Sequence, residues 1–444
     1  MNYDLSSLMK NDGFLCSSCG KRHYGLLRDY IAERGAIQKL PALLQKYGVS
    51  HPFVLCDENT YAAAGEAVCS TLDENGVAYT LHVVRREKPA PDERLVGEAL
   101  MYCDNFCDGT VAVGSGVIGD VCKILAAAKS VPAVTVATAP SMDGFASASS
   151  SMERGGLKVS LSSKCPDAVI ADPAILSKAP RHMILSGIGD ILAKYISLVE
   201  WKIATLLVGD DYCETVASIV REALKKCVKN AEAAVNGSED AVIAVMEGLV
   251  ISGLAMNYAG ISRPASGMEH YISHITDMRA LAFGTPADLH GIQCGIATLT
   301  TVRAYEALAS ETPNPEKALA AVRAWNNDKW NAYLTEKLGE GAHAIIKGEE
   351  KERKYDAAKH EARLKRILAH WNDILSILAT LPKAAELEGF MKRIGHPTAP
   401  REFGLSDEAW NEAFLMAKDI RDKYVLGRLL WDLGSEDMHR LGAN

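Results

Sequence analysis

The sequence predicts two architectures in tandem: an α/β nucleotide-binding domain over residues 1–179 and an all-helical domain over residues 180–444. Three observations carry this expectation. Between about residues 50 and 175, short β-rich runs alternate with Ala-rich segments of helical period, the pattern of βαβ units around a parallel sheet. After Pro180, apolar residues recur at three and four spacing almost unbroken to Leu441, with few β-branched runs. Between a strand-like and a helix-like segment, VAVGSGVIGDVCK sets three glycines in GxGxxG spacing.

In chain order, FLCSSCGKRH comes first, with Cys16 and Cys19 in a CxxC and His23 close by. A structural zinc needs four ligands and no second CxxC exists, so these residues favour a turn between two short strands over a zinc site. The strands expected next are PFVLC (52–56), AYTLHVV (78–84), GTVAV (109–113), AVTVA (133–137) and DAVIA (167–171). Helical segments fall between them: TYAAAGEAVCSTL, DERLVGEALMYC and IGDVCKILAAAK. In the second half, AVIAVMEGLVISGLAMNYAGI (241–261) is nearly long enough to span a bilayer. It contains Glu247 and Asn257 and lacks basic flanks, so a buried helix is expected and no membrane span. KGEEKERKYDAAKHEARLKR (347–366) reads as a solvated helix or exposed insertion.

Composition narrows the function classes. The 444 residues hold 48 Lys+Arg against 56 Asp+Glu, a net charge of −8, with 48% hydrophobic residues. Widespread disorder is excluded. Without a Lys/Arg-dense stripe, nucleic acid is not an expected partner. The N-terminus MNYDLSSLMKNDG has no apolar core of a secretory signal. Eleven cysteines without framework spacing suit a reducing compartment, and the expected location is the cytoplasm.

Gly114, Gly116 and Gly119 would let a backbone approach a pyrophosphate at a helix N-terminus, where free N–H groups and the dipole favour anions. The turn follows the third strand instead of the first, and the acidic residue comes earlier, at Asp57. Asp57 ends the first strand, where it can bond a ribose hydroxyl or cap the following helix. In the helical half, SGIGDILAKY puts Asp190 after two glycines. SRPASGMEHYISHITDM sets Ser266 and Glu269 at capping-box spacing, and His270 and His274 one turn apart on one face. His290 precedes a glycine in FGTPADLHGIQCG. Asp190, His270 and His290 together suit a divalent metal with an open position for a substrate oxygen, although any His can be a core residue and EHYISH is not HExxH.

The segments GSGVIGD, TAPSMDGFAS, SGIGD, SRPASGMEHYISH and LHG, in this order and spacing, resemble the sn-glycerol-1-phosphate dehydrogenases of the iron-containing alcohol dehydrogenase and glycerol dehydrogenase superfamily. FGLSDEAWNEAFLMAKDIRDKYVLGRLLWDLG resembles the tail of bacterial members, so the likeness covers nearly the whole chain. It implies the dehydroquinate synthase-like, iron-type alcohol dehydrogenase architecture: an NAD(P)-binding domain over 1–179 and a helical metal-binding catalytic domain over 180–444. The implied reaction is reversible reduction of dihydroxyacetone phosphate to sn-glycerol 1-phosphate, a step of phospholipid biosynthesis.

By matched motif, the resemblance implies Asp190, His270 and His290 as ligands of one divalent ion, zinc foremost with nickel or iron as alternatives. Cofactor contacts, to NAD or NADP, fall on Asp57, Gly114, Ser115, Gly116, Gly119, Asp120, Thr138 and Ser147. Asp143 falls on the substrate and proton-relay aspartate, and His274 is a second relay. For the substrate phosphate, Arg263 is the candidate cation, with a salt bridge as its other reading; Lys158 and Lys194 are further candidates. A homo-oligomer, a dimer, is expected. Rival readings are a glycerol dehydrogenase, which needs no phosphate cation; a dehydroquinate-synthase-like activity, which resembles this family but places Glu at Asp190; and a nucleotide-binding or metal-sensing module without catalysis.

Overall fold

The computed structural model describes residues 5–9, 13–155 and 157–435. Much of the segment read for a secretory signal, and the expected helix beyond residue 435, lie outside the described residues. The chain forms two compact units. The first is Met1–Ile191 with Glu214–Ile261, the second Leu192–Cys213 with Ser262–Asn444.

Among the described residues, ten strands run in chain order: β1 (Phe14–Leu15), β2 (Arg22–His23), β3 (Asp29–Ile31), β4 (Pro52–Asp57), β5 (Thr80–Val84), β6 (Gly109–Gly114), β7 (Ala133–Ala137), β8 (Ser149–Arg154), β9 (Leu157–Ser162) and β10 (Ala168–Ile170). The five expected strands are present as β4, β5, β6, β7 and β10. The six-stranded sheet has the order β3-β10-β7-β6-β4-β5, and every pair in it is parallel. Its central strands are apolar on both faces, as a parallel sheet covered by helices requires. Val54 and Cys56 of β4 pack with Val111 and Val113 on one face, while Phe53 and Leu55 pack with Ala112 and Ile118 on the other.

The connections fix where a ligand can sit. β5 and β6 follow β4 in sequence but lie on opposite sides of it. This reversal opens a crevice beyond the carboxyl ends of β4 and β6, the position where doubly wound sheets bind ligands. Asp57 ends one of these strands and Gly114 the other. β8 and β9 form a separate antiparallel hairpin that the sequence reading did not anticipate.

Six helices matter for the site: α1 (Gly116–Lys129), α2 (Arg181–Leu192), α3 (Glu214–Val235), α4 (Glu239–Ala259), α5 (Met268–Phe283) and α6 (His290–Ala309). Periodicity and compactness divide the chain differently: α3, α4 and all but the last residue of α2 have the helical period of the second half yet belong to the first unit. α4 is long and apolar enough to cross a membrane, but 78% of its most apolar window is buried, as expected of a core helix.

The charged stretch 347–366 is helical and mostly exposed, as expected, with a few buried exceptions. It forms the end of a helix Gly341–Glu352 and most of a helix Ala357–Ala369, and part of it is buried. Arg363 donates two bonds to the Asp432 carboxylate, both 2.8 Å, and Lys354 pairs with buried Glu349 at 2.8 Å. Arg428 meets Asp419 at 2.6 Å beside them. The partner of Arg363 lies 69 residues away, beyond any local pattern, whereas Glu349 is only five residues from Lys354.

Candidate active site

In the first unit, α1 begins one residue after β6, with Ser115 between them. A Cβ on Gly114 would come within 2.8 Å of the Ile118 Cβ, so this glycine serves strand–helix packing. Gly116 differs: a Cβ there would meet only Met142 Cγ at 3.6 Å. Protein packing does not demand glycine at that position, and its bare backbone leaves room for a ligand at the N-terminus of α1. The residues present therefore fit a pyrophosphate. Ser115 Oγ bonds Ser141 Oγ, and the Thr138 N–H donates to the Gly114 carbonyl at 3.1 Å, so the loop after β7 is tied to the glycine turn. At the end of β4, Asp57 Oδ1 accepts from the Thr60 N–H at 2.8 Å and caps the helix Glu58–Thr60.

Asp120 braces the fold. Its Oδ1 accepts from Lys123 Nζ at 2.9 Å and its Oδ2 from the Ser151 N–H at 3.0 Å. Buried Lys123 also donates to the Gly144 carbonyl at 3.3 Å and to Ser147 Oγ at 3.2 Å. Ser147 thus belongs to a loop pinned by a lysine that sequence reasoning overlooked. Lys158 on β9 stands opposite Glu153 of β8, with 3.8 Å between their charges.

Asp143 and Asp190 meet within this unit: the Asp143 N–H donates to Asp190 Oδ2 at 2.8 Å. Ser252 Oγ of α4 donates to Asp143 Oδ2 at 2.9 Å. Gly187 permits this closeness, because a Cβ there would stand 1.9 Å from the Pro140 carbonyl oxygen. Asp190 is fully buried.

In the second unit, α5 and α6 bring three histidines together. The His270 and His290 rings lie 4.9 Å apart, and His274 stacks on His290 at 5.4 Å. His270 Nδ1 is 2.9 Å from Glu269 Oε1, and His290 Nδ1 is 3.0 Å from Ser273 Oγ. A carboxylate only accepts, so His270 Nδ1 carries the proton and Nε2 is the ring nitrogen that could bind a metal, while the Ser273 hydroxyl, which can donate or accept, holds the His290 ring in place. Ligand atoms of His270, His290 and Cys294 lie within 4.8 Å of one another, as do those of His274, Asp277 and His290. His290 is common to both sets, and Cys294 and Asp277 escaped the sequence reading although both follow histidines at helical spacing. Two oriented imidazoles and a carboxylate are a donor set that zinc and related divalent ions accept.

Glu269 bonds backwards as its spacing suggested, but to the Gly267 N–H at 2.7 Å; Gly267, and not Ser266, is the cap. Nearby Glu200 accepts from the Met268 and Leu426 N–H groups, each at 2.8 Å. Burial first, and Glu269 second, push its pKa up to about 8.

The candidate phosphate cations fare differently from their expectation. Arg263 is buried, paired with Asp210 and donating to the Tyr424 carbonyl at 3.0 Å. The structure thus gives it the salt-bridge reading, with its charge already matched. Lys194 donates to the Ala265 carbonyl at 2.9 Å. A lysine the sequence reading passed over, Lys423, reaches the same motif, with Nζ 2.7 Å from Ser266 Oγ. Burial, then Arg263 and Arg421, draw its pKa down to about 7.

Comparison with known proteins agrees with this architecture. The iron-containing alcohol dehydrogenase family model matches residues 31–180. The glycerol-1-phosphate dehydrogenase [NAD(P)+] of Bacillus velezensis is 30% identical over 90% of this chain and 90% of its own. That of Bacillus licheniformis is 30% identical over 95% of this chain and 93% of its own. The glycerol dehydrogenase of Schizosaccharomyces pombe has the same fold, with a TM-score of 0.60 at 16% identity, covering 97% of this chain and 92% of that one.

Proposed function

The chain belongs to the glycerol-1-phosphate dehydrogenase family, and from that premise we propose that it reversibly reduces dihydroxyacetone phosphate to sn-glycerol 1-phosphate with NAD(P)H. The observation that carries the chemistry is the oriented pair His270 and His290, each with Nδ1 engaged. These two, with Asp190, would hold one divalent ion, zinc before nickel or iron. Bound there, the ion supplies Lewis acidity toward a carbonyl oxygen, and the nicotinamide supplies the hydride.

The chain's own residues bind, orient and move a proton. The α1 N-terminus, with Gly116, receives the pyrophosphate, while Asp57 at the end of β4 meets the ribose and favours NAD over NADP by repelling a 2′-phosphate. Asp143, held by Ser252 Oγ and by its own N–H to Asp190, relays the proton that reduction consumes, with His274 as a second relay. Lys423, beside Ser266, is a better candidate phosphate cation than Arg263, because Asp210 already matches the Arg263 charge. A cytoplasmic homodimer completes the proposal. Eleven cysteines outside disulfides support a reducing compartment, and light scattering reads the mass of the assembly.

The test is a substrate panel with NADH and NADPH on metal-stripped and reconstituted protein. Dihydroxyacetone phosphate should be reduced, the activity should vanish on stripping, and it should return with metal. The unphosphorylated ketone should lag by a factor that polar mismatch can carry to about 10⁴. Equal kcat/KM for the two ketones would move the reading to glycerol dehydrogenase.

A further inference from the structure

We propose that Cys16, Cys19, His23 and Cys213 form a second metal centre, a closed Cys3His zinc site that is structural and separate from the catalytic one. The proposal does not rest on the functional reading above. Ligand atoms of these four residues lie within 4.8 Å of one another, and Cys19 Sγ is 3.3 Å from His23 Nε2. Tetrahedral zinc, with Zn–S near 2.3 Å and Zn–N near 2.0 Å, sets its ligand atoms about 3.5–3.8 Å apart. A small inward movement of the side chains completes that geometry.

The hairpin is shaped for the task. β1 and β2 pair antiparallel, with Phe14 opposite His23, and the CxxC occupies their turn. The Gly20 N–H donates to the Cys16 carbonyl at 2.9 Å, and Gly20, directly after Cys19, has φ +72°. Sγ of both cysteines lies within 4.8 Å of the ligand atoms of His23 and Cys213. His23 is buried, and its Nδ1 lies 2.7 Å from the Tyr258 carbonyl oxygen. A carbonyl only accepts, so Nδ1 carries the proton and Nε2 keeps its lone pair toward the sulfurs, the arrangement that metal-bound histidines adopt. The fourth ligand comes from nearly two hundred residues away. Cys213 is buried and peptide-bonded to Glu214, the first residue of α3, while Thr215 Oγ1 accepts from Cys16 Sγ at 3.2 Å.

Four protein ligands leave no open position, which marks a structural site. Zn²⁺ binding would release the three thiol protons to solvent, with no change in oxidation state. The bound ion would join the N-terminal hairpin to the start of α3 and, through His23, to the end of α4. The rival chemistry for a CxxC, a Cys16–Cys19 disulfide, uses neither His23 nor Cys213.

Zinc per chain, measured by elemental analysis on full-length protein purified under reductant, tests the site. The His290→Ala variant, stripped of catalytic metal, should retain one zinc that resists EDTA and is released one-for-one by a thiol-specific mercurial. Adding Cys213→Ser should abolish it. If the Cys213→Ser chain fails to fold, protein grown with Co²⁺ in place of zinc gives a second readout: thiolate-to-cobalt charge-transfer bands in the His290→Ala background. Absence of EDTA-resistant zinc there, zinc that the mercurial does not release, a folded Cys213→Ser chain with full zinc, or a metal-free Cys16–Cys19 disulfide would each overturn the proposal.

Discussion

At Asp57 a single carboxylate caps the helix Glu58–Thr60 with Oδ1 while standing at the ligand edge of β4. Asp57→Asn separates the two roles, because Asn caps about as well as Asp but has no charge to repel a 2′-phosphate. The variant should keep its unfolding midpoint and gain on NADPH relative to NADH by about tenfold in kcat/KM, the equivalent of about 1.4 kcal/mol. An unchanged cofactor ratio would remove Asp57 from the ribose site. At the metal, His290→Ala should leave a folded chain that binds little catalytic metal, since His290 belongs to both donor sets around α5 and α6; full catalytic occupancy by elemental analysis would contradict the ligand assignment. Residues whose partners are local in sequence were legible, as with Glu269 and the cap of Asp57. Arg263 was not, because its partner Asp210 is brought to it only by the tertiary fold. Cys16 and Cys19 were visible as a pair, but spacing rules count neighbours and so could not find Cys213.

At the scale of elements, the glycine turn between β6 and α1 makes a separable prediction. Gly116→Val places a branched side chain where only Met142 now comes near, so the fold should tolerate it. NAD(H) affinity, followed by fluorescence titration, should fall at least tenfold while metal content stays constant. Unaltered affinity would send the pyrophosphate elsewhere. The strands β4, β5, β6, β7 and β10 were legible because buried parallel strands are written as runs of Val, Ile and Ala. The β8–β9 hairpin was not, since SSSMER and LKVSLS set few apolar residues among serines and charges, and a serine-rich stretch looks like any loop. The stretch 347–366 was legible as a mostly exposed helical segment, whereas the Arg363–Asp432 pair was not, since its members are 69 residues apart.

For the whole molecule, two buried carboxyls set a pH dependence. Glu200 and Glu349 each have a pKa pushed up to about 8, chiefly by burial. Between their ordinary value near 4.5 and about 8 the folded chain holds protons that the unfolded chain has lost. Stability from this source is therefore full below about pH 4.5 and declines as pH rises toward 8. Lys423, lowered to about 7, acts with the opposite sign, adding stability as pH rises from about 7 toward 10.5. Urea midpoints at pH 5, 6 and 7 should thus fall in the parent protein, and Glu200→Gln should flatten that fall by up to about 1.4 kcal/mol per pH unit; parallel profiles would deny Glu200 its proton. The interleaving of the two units also has a consequence during synthesis. Every segment of the first unit has been made once residue 261 is translated, whereas Leu192–Cys213 belongs with Ser262–Asn444. At about 5–20 residues per second the ribosome needs on the order of ten to thirty seconds to deliver the rest. Through that interval the apolar helix Lys194–Val208 hangs from a nascent chain whose first unit is ready to fold, a surface for chaperones to hold and the place where slowed translation would do the most harm.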